Sequence, residues 1–278
     1  LMRQATGETQ GAGLEWVGLK ATAESFGAKA ASGDFGLSAS NLSVIINQVS
    51  GPGSGDGKVV DFAHPGSVVE IATGAPERLV LDMPGSSGEL KSFSGDVSVT
   101  IGDYLFLSGG LGFVDSIRTI TLSDGSTVST TVQTLGASNL TAFFGVNGPG
   151  GKAGATGFAL SGLNLAVATF KSSEAGDNRE WTSLRADAAR AQFVGFDDVS
   201  VVDGSVQSFS IALNQQNGDP NGLVPHLADA PITILAGSRS FELDFDGADG
   251  RVLQVAADLT LSILDYFFLS GSFGFEFS

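Results

Sequence analysis

Three carboxylates cluster in Asp244-Phe245-Asp246-Gly247-Ala248-Asp249-Gly250, at near-alternate positions around glycines. Calcium, a hard cation, draws its ligands from oxygen-rich loops of this kind. Asp244, Asp246 and Asp249 are therefore the candidate calcium ligands, and no other cofactor is expected. The segment lacks the twelve-residue loop closed by a bidentate Glu. Its counterpart earlier in the chain, Leu81-Asp82-Met83-Pro84-Gly85, keeps one Asp. The competing expectation is a pair of ordinary Asp-Gly turns. Asp197-Asp198, and Asp219 with Asn221, are sparser acidic groupings.

His64 precedes Pro65 and His226 follows Pro225, at places that match with an offset of 162. A zinc or catalytic role needs further converging ligands, and only Asp61 or Asp229 is near in sequence. A hydrogen-bonded loop histidine is the simpler expectation. Asp103 and Asp265 fall on the apolar parity of their segments, and each precedes a Tyr. Paired acids can serve as ligands or acid–base groups; an Asp at a bulge or strand crossing can equally bond nearby backbone amides. There is no Gly-x-Ser-x-Gly elbow, P-loop, dinucleotide fingerprint or His-Glu-x-x-His. No enzyme activity is expected. Asn41-Leu42-Ser43 and Asn139-Leu140-Thr141 match the N-glycosylation sequon.

The composition explains why chemistry is so thinly represented. Among 278 residues, 30 acidic against 14 basic side chains give a net charge of −16, which repels phosphate backbones. Nucleic acid is not an expected partner. Cysteine is absent, so disulfides, thiolate catalysis and Cys-type zinc sites are excluded together. Glycine numbers 39 and Phe 20, whereas Tyr and Trp number two each, a mixture that with Ser, Thr and Val suits strands and tight turns.

The chain repeats itself. Asp103-Tyr104-Leu105-Phe106-Leu107-Ser108-Gly109 returns as Asp265-Tyr266-Phe267-Phe268-Leu269-Ser270-Gly271 at an offset of 162. Asn47-Gln48 returns as Asn214-Gln215, and Trp16 with Leu19-Lys20-Ala21 as Trp181 with Leu184-Arg185-Ala186, at offsets of 167 and 165. Two units follow, 1–116 and 117–278, the first lacking its beginning, so the chain reads as a piece of something longer. Period-2 alternation over Val97, Val99, Ile101, Leu105, Leu107, Leu111 and Phe113 predicts an unusually long strand bent near Gly109-Gly110, and its copy one bent near Gly271-Ser272. Phe35/Leu37 to Leu42/Val44 and Phe158/Leu160 to Leu163/Leu165 share a slip in parity, which predicts a bulge at one place in both. Asp124-Gly125 and Asp203-Gly204 predict type I′ hairpins. Ser183 to Gln192 is the one passable helix, and its alignment with Gly18 to Gly27 favours strand. The fold class is all-β, as tandem antiparallel units, sandwich- or barrel-like, stacked in a repeat array.

The segments Asp103 to Phe113, Asp265 to Glu276 and Phe158 to Ala168 resemble repeats of very large secreted bacterial surface proteins. Such proteins are often described beside haemolysin-type calcium-binding or adhesin modules. The resemblance implies an extracellular fibre, stalk or matrix component at the bacterial surface. The calcium-binding nonapeptide of those modules is not present in this chain. The expected function is a structural repeat segment that gives length and mechanical stability, partnered by neighbouring repeats or copies of itself. One alternative is a β-sandwich adhesin-like module binding cell-surface glycans or matrix through its loops. Another is an outer-membrane β-barrel, suggested by long alternating strands and the Phe273, Phe275, Phe277 series. Scarce Tyr and Trp and an uneven strand rhythm oppose it.

Overall fold

The computed structural model describes residues 2–3, 13–31, 34–51, 57–74, 76–195, 203–263 and 267–277. Ten long strands dominate it. They are β2 (Glu15–Lys29), β3 (Phe35–Ser50), β6 (Leu90–Ile101), β7 (Leu105–Leu122), β8 (Thr127–Val146), β9 (Thr156–Ser172), β10 (Glu180–Val194), β11 (Asp203–Asn217), β15 (Val252–Ile263) and β16 (Phe267–Phe277). Short pieces complete the set: β1 (Met2–Arg3), β4 (Val69–Ile71), β5 (Leu79–Leu81), β12 (Pro225–His226), β13 (Ile232–Ala236) and β14 (Arg239–Leu243). The long strands pair in chain order, each antiparallel to the next, from β2 to β16. At about 3.3 Å per residue the longest would reach roughly 65 Å.

The all-β, antiparallel reading therefore holds, and its finer arrangement is specific: the repeats join side by side in one sheet. The unit boundary expected at 116/117 lies within β7, where Ser116 pairs Val132 and Ile117 pairs Thr131 without interruption. It marks the phase of the repeat, in mid-strand, and separates no folded bodies. Ser183 to Gln192 is strand, inside β10.

Several turns differ from expectation. The long alternating segment before Gly109 is two strands, because Gly102–Tyr104 turn the chain and Ile101 pairs Leu105. Asp124-Gly125 does join β7 to β8, yet only Gly125 has positive φ, at 84°, and its N–H donates to the Leu122 carbonyl. A three-residue turn of that kind replaces type I′, which needs two positive φ values. Asp203 and Gly204 pair Ser262 and Leu261 within a ladder, so they form no hairpin turn; residues 199–202 of that expected hairpin lie outside the described residues.

Bulges line up across the sheet. Register shifts occur beside Asn41, Asn139 and Ser208, whose φ values of 54°, 48° and 52° are positive, and beside Gly109 and Gly162. Each slip is thus a bulge, but not at one place in both, since Asn41 aligns with Asn164 and Gly162 lies two residues before it. No shift occurs at Gly271-Ser272, where β15 and β16 pair continuously. Asn41 Nδ2 donates to Asp96 and Asn164 Nδ2 to Asp187, each at 2.9 Å, tying the distorted backbone to the next strand.

The consequence of the bulges is a two-faced sheet. Residues paired across a ladder project to the same face, so the register can be read as rows. One row runs through Ala21, Val44, Phe93, Phe113, Leu135, Val167, Leu184, Leu213, Leu253 and Phe277. Another runs through Phe35, Ile101, Leu105, Phe144, Phe158 and Phe193. Each extra residue at a bulge resets the parity, so both rows lie on one face. The opposite face carries two caps. The second cap, built from β12, β13, β14 and their loops, buries Ile120, Leu122, Val132, Phe170 and Trp181 with Leu227, Ile234 and Leu243. The smaller first cap buries Phe62, Leu81 and Met83 against Ile45.

Candidate functional site

The two caps are one device built twice. Trp16 Nε1 donates to the Lys58 carbonyl at 3.1 Å, and Trp181 Nε1 to the Leu223 carbonyl at 2.9 Å. Asn47 Nδ2 reaches the Val60 carbonyl, and buried Asn214 Nδ2 the Pro225 carbonyl, at 2.9 and 3.0 Å. Phe62 N–H donates to Met83, and Leu227 N–H to Phe245. Lys20 pairs Asp82 and Arg185 pairs Asp244, both at 2.7 Å. The repeat seen as scattered landmarks is therefore a set of anchors that hold a crossing loop on the sheet.

This equivalence corrects the histidine alignment. Gly85 N–H donates to Asp61 Oδ1 at 2.9 Å, and Gly247 N–H donates to His226 Nδ1 at 3.0 Å. His226 thus matches Asp61, not His64, because the first cap's loop is three residues longer beyond this point (61 to 226 differ by 165, 85 to 247 by 162). Both groups are acceptors for the first N–H of a 3₁₀ turn, Gly85–Ser87 or Gly247–Asp249.

The candidate calcium ligands are engaged separately. Asp244 Oδ1 is held by Arg185, whose guanidinium also lies 4.6 Å from the Phe245 ring centre. Asp246 caps the 3₁₀ turn, accepting from Ala248 N–H at 2.9 Å, and sits 3.2 Å from His226 Nδ1. Asp249 is exposed within that turn. Among the described residues no three His, Asp or Glu side chains are grouped to hold a metal ion. The loop is a capped turn in which Asp244 serves a guanidinium and Asp246 serves the backbone and His226.

His226 is the titratable group with the richest surroundings. Its Nε2 lies 3.1 Å from Asp229 Oδ2. The hydrogen bond to Asp229, then the charges of Asp229 and Asp246, raise its pKa above the ordinary value near 6.5. Asp177 is held well below the ordinary carboxylate range, first by its side-chain hydrogen bonds to Arg179. Arg179 also pairs buried Asp219 at 3.5 Å and lies 5.4 Å from the Trp181 ring centre, which ties the β9–β10 connection to the second cap. Asp103 is exposed in the turn between β6 and β7, where its carbonyl accepts from Gly148 N–H. Asp265, Asp197 and Asp198 lie outside the described residues.

What sequence reasoning missed is the uncapped face. Along β6, Phe93, Gly95, Val97, Val99 and Ile101 project to it, and along β7, Phe113, Leu111, Gly109, Leu107 and Leu105. Phe144, Phe193 and Phe275 are 53%, 54% and 59% exposed there. The total accessible surface is 15664 Å², against about 11,000 Å² for a compact monomer of this length. The grooves on the molecule are not comparable sites. The groove between β10 and β16 on the capped face is lined by Arg185, Asp187, Ser210, Gln254 and Glu276. Comparison with protein families, with curated proteins and with solved structures finds no match.

Proposed function

We propose that this chain is a structural repeat segment whose task is to extend a β-sheet laterally, unit by unit, in a bacterial surface protein of the kind its repeats resemble. The observation that carries this reading is that the strands of both units follow one another in one antiparallel ladder, each unit clamped by the same cap. Residues 117–278 also span one repeat of 162, so a following copy would continue β16 as β7 continues past Ser116. Tension between β2 and β16, on opposite sides of the sheet, would open ladders one pair at a time. The element is therefore a wall that fills area, better suited to enclosing than to bearing load along the chain.

A chain carrying a second copy of residues 117–278 after Ser278 tests the reading. The β16 amides that face away from β15 become protected from hydrogen exchange as they gain a second ladder. If they exchange as fast as in the single chain, lateral extension is wrong.

A further inference from the structure

We infer that the uncapped face meets the hydrocarbon of a lipid bilayer, and that the sheet is an arc of a transmembrane β-barrel wall with both caps on its inner, aqueous side. The inference rests on the sheet-extending reading above, since only further strands can close such a wall.

The first observation is chemical. Between the Phe93–Phe113 row and the Ile101–Leu105 row, the residues of β6 and β7 on this face are Gly, Val, Leu, Ile and Phe only. The second is dimensional. The band runs from Phe93 to Ile101, nine residues that extend roughly 26 Å along the strand, and tilted strands that cross a bilayer need about 9–11 residues. The third is the nature of its borders. Phe is concentrated at both, as Phe93 and Phe113 at one and Phe144 and Phe158 at the other, where barrels carry aromatic girdles. Charge begins one row beyond the first border, where Lys91 pairs Asp115 at 3.9 Å.

Two further features agree. The bulges cost ladder hydrogen bonds, yet with them the row ending at Phe277 and the row ending at Phe193 fall on one face, which would serve no purpose on a solvated surface. The apolar face also runs to both lateral sides of the sheet, from Leu19 beside Ile46 at one to Phe273 and Phe275 at the other, as a wall in lipid requires. The capped face, by contrast, carries charge, with Arg185, Asp187 and Glu276 lining its groove. A second copy laid face to face would cover the same apolar area, but each copy carries a net charge of −16 and would be opposed by the other.

The absence of cysteine makes the test direct. Single-site variants Leu135→Cys and Phe158→Cys report on the uncapped face and Gln254→Cys on the capped groove, each labelled with bimane. The full chain is refolded with dioleoylphosphatidylcholine vesicles, with and without nitroxide-labelled lipid. Quenching at positions 135 and 158 at least about twofold above that at 254 is expected, with Leu107→Arg lowering the vesicle-bound fraction about tenfold. Unquenched labels overturn the inference, whether the chain stays monomeric in buffer or forms a dimer that shields both sites. Infrared spectra of the same samples separate the two readings. An antiparallel β signature with unquenched labels fails the lipid assignment alone, whereas its loss fails the sheet reading with it.

Discussion

Trp181 donates its indole N–H to the Leu223 carbonyl, 42 residues ahead, at 2.9 Å, and is 1% exposed. The bond pins the loop that leads into the second cap while the ring fills the floor beneath Leu227. Trp181→Phe keeps much of the ring but leaves a partly buried carbonyl without its donor, which costs about 1 kcal/mol. Trp181→Ala adds a cavity and costs about 3–5 kcal/mol. Trp16, whose surroundings are only partly buried, loses less on the same changes. Urea unfolding of the four variants checks the order, and equal losses at both tryptophans would show that the caps are not graded by burial.

A second pair of positions explains an imperfection in the first cap. Ser183 Oγ donates to Asn214 Oδ1 at 2.8 Å, and Gly18 stands in the corresponding place, where Asn47 Oδ1 is buried without a partner. Serine does not fit there because a Cβ on Gly18 would lie 2.6 Å from Phe62 Cζ, whereas the second cap has the smaller Leu227 in that role. Gly18→Ser alone is expected to destabilise by about 1–3 kcal/mol through overpacking. Gly18→Ser with Phe62→Leu transplants the second cap's solution, and the double-mutant cycle should show a favourable coupling of at least about 0.5 kcal/mol. Additive losses would show that the two sites do not share space.

Close approach of backbones fixes the second cap. A Cβ on Gly112 or Gly136 would sit 2.2 or 2.1 Å from the Leu235 carbonyl oxygen, so β13 can lie on β7 and β8 only above glycine. Gly112→Ala and Gly136→Ala are expected to lift the β13–β14 hairpin, raising hydrogen exchange at Ile232–Ala236. Gly274→Ala is the control, since nothing lies within 4 Å of its added methyl. Unchanged exchange in both cap variants would mean that the hairpin is held elsewhere.

The separate engagement of Asp244 and Asp246 bears on calcium. Binding would have to break the Arg185 pair and the Ala248 cap before gaining ligands. Millimolar calcium, a range in which weak extracellular sites fill, is expected to leave Tm unchanged. A rise in Tm that Asp246→Asn abolishes would show that these side chains rearrange around the ion.

The strands and the repeat were legible in the sequence because they depend on local alternation and on recurring anchors such as Trp16 and Trp181. The turn at Gly102–Tyr104 was hidden for a definite reason. A loop of three residues returns the chain with its parity intact, so Ile101 and Leu105 share a face and the alternation never breaks. His64 and His226 align by residue type and offset, yet the two caps differ by three residues beyond Asp61, so register places His226 opposite Asp61. The apolar rows were invisible because they join residues brought side by side only by ladders, as Phe35 and Ile101 are. The alternation from Val97 to Phe113 and the Phe273, Phe275, Phe277 series are their local traces.

His226 offers a pH test of the cap. Asp229 and Asp246 favour its charged form, and the Gly247 N–H, which donates to Nδ1, favours the neutral one. The hydrogen bond to Asp229 and the two carboxylate charges outweigh the desolvation of the ring, so the folded-state pKa is raised above the ordinary value near 6.5. A raised pKa stabilises the fold fully below the unfolded value, and this contribution is lost as pH rises through the folded value. The chain should therefore lose part of its second-cap stability on passing from about pH 6 to above neutrality. His226→Asp should remove that dependence, since Asp61 shows a carboxylate accepting the same N–H in the first cap. Nitrogen-detected titration of the His226 imidazole checks the direction, and Asp229→Asn should bring its midpoint down. A midpoint at or below 6.5 in the unsubstituted protein would mean that the Gly247 N–H dominates and the second cap is strongest when the ring is neutral.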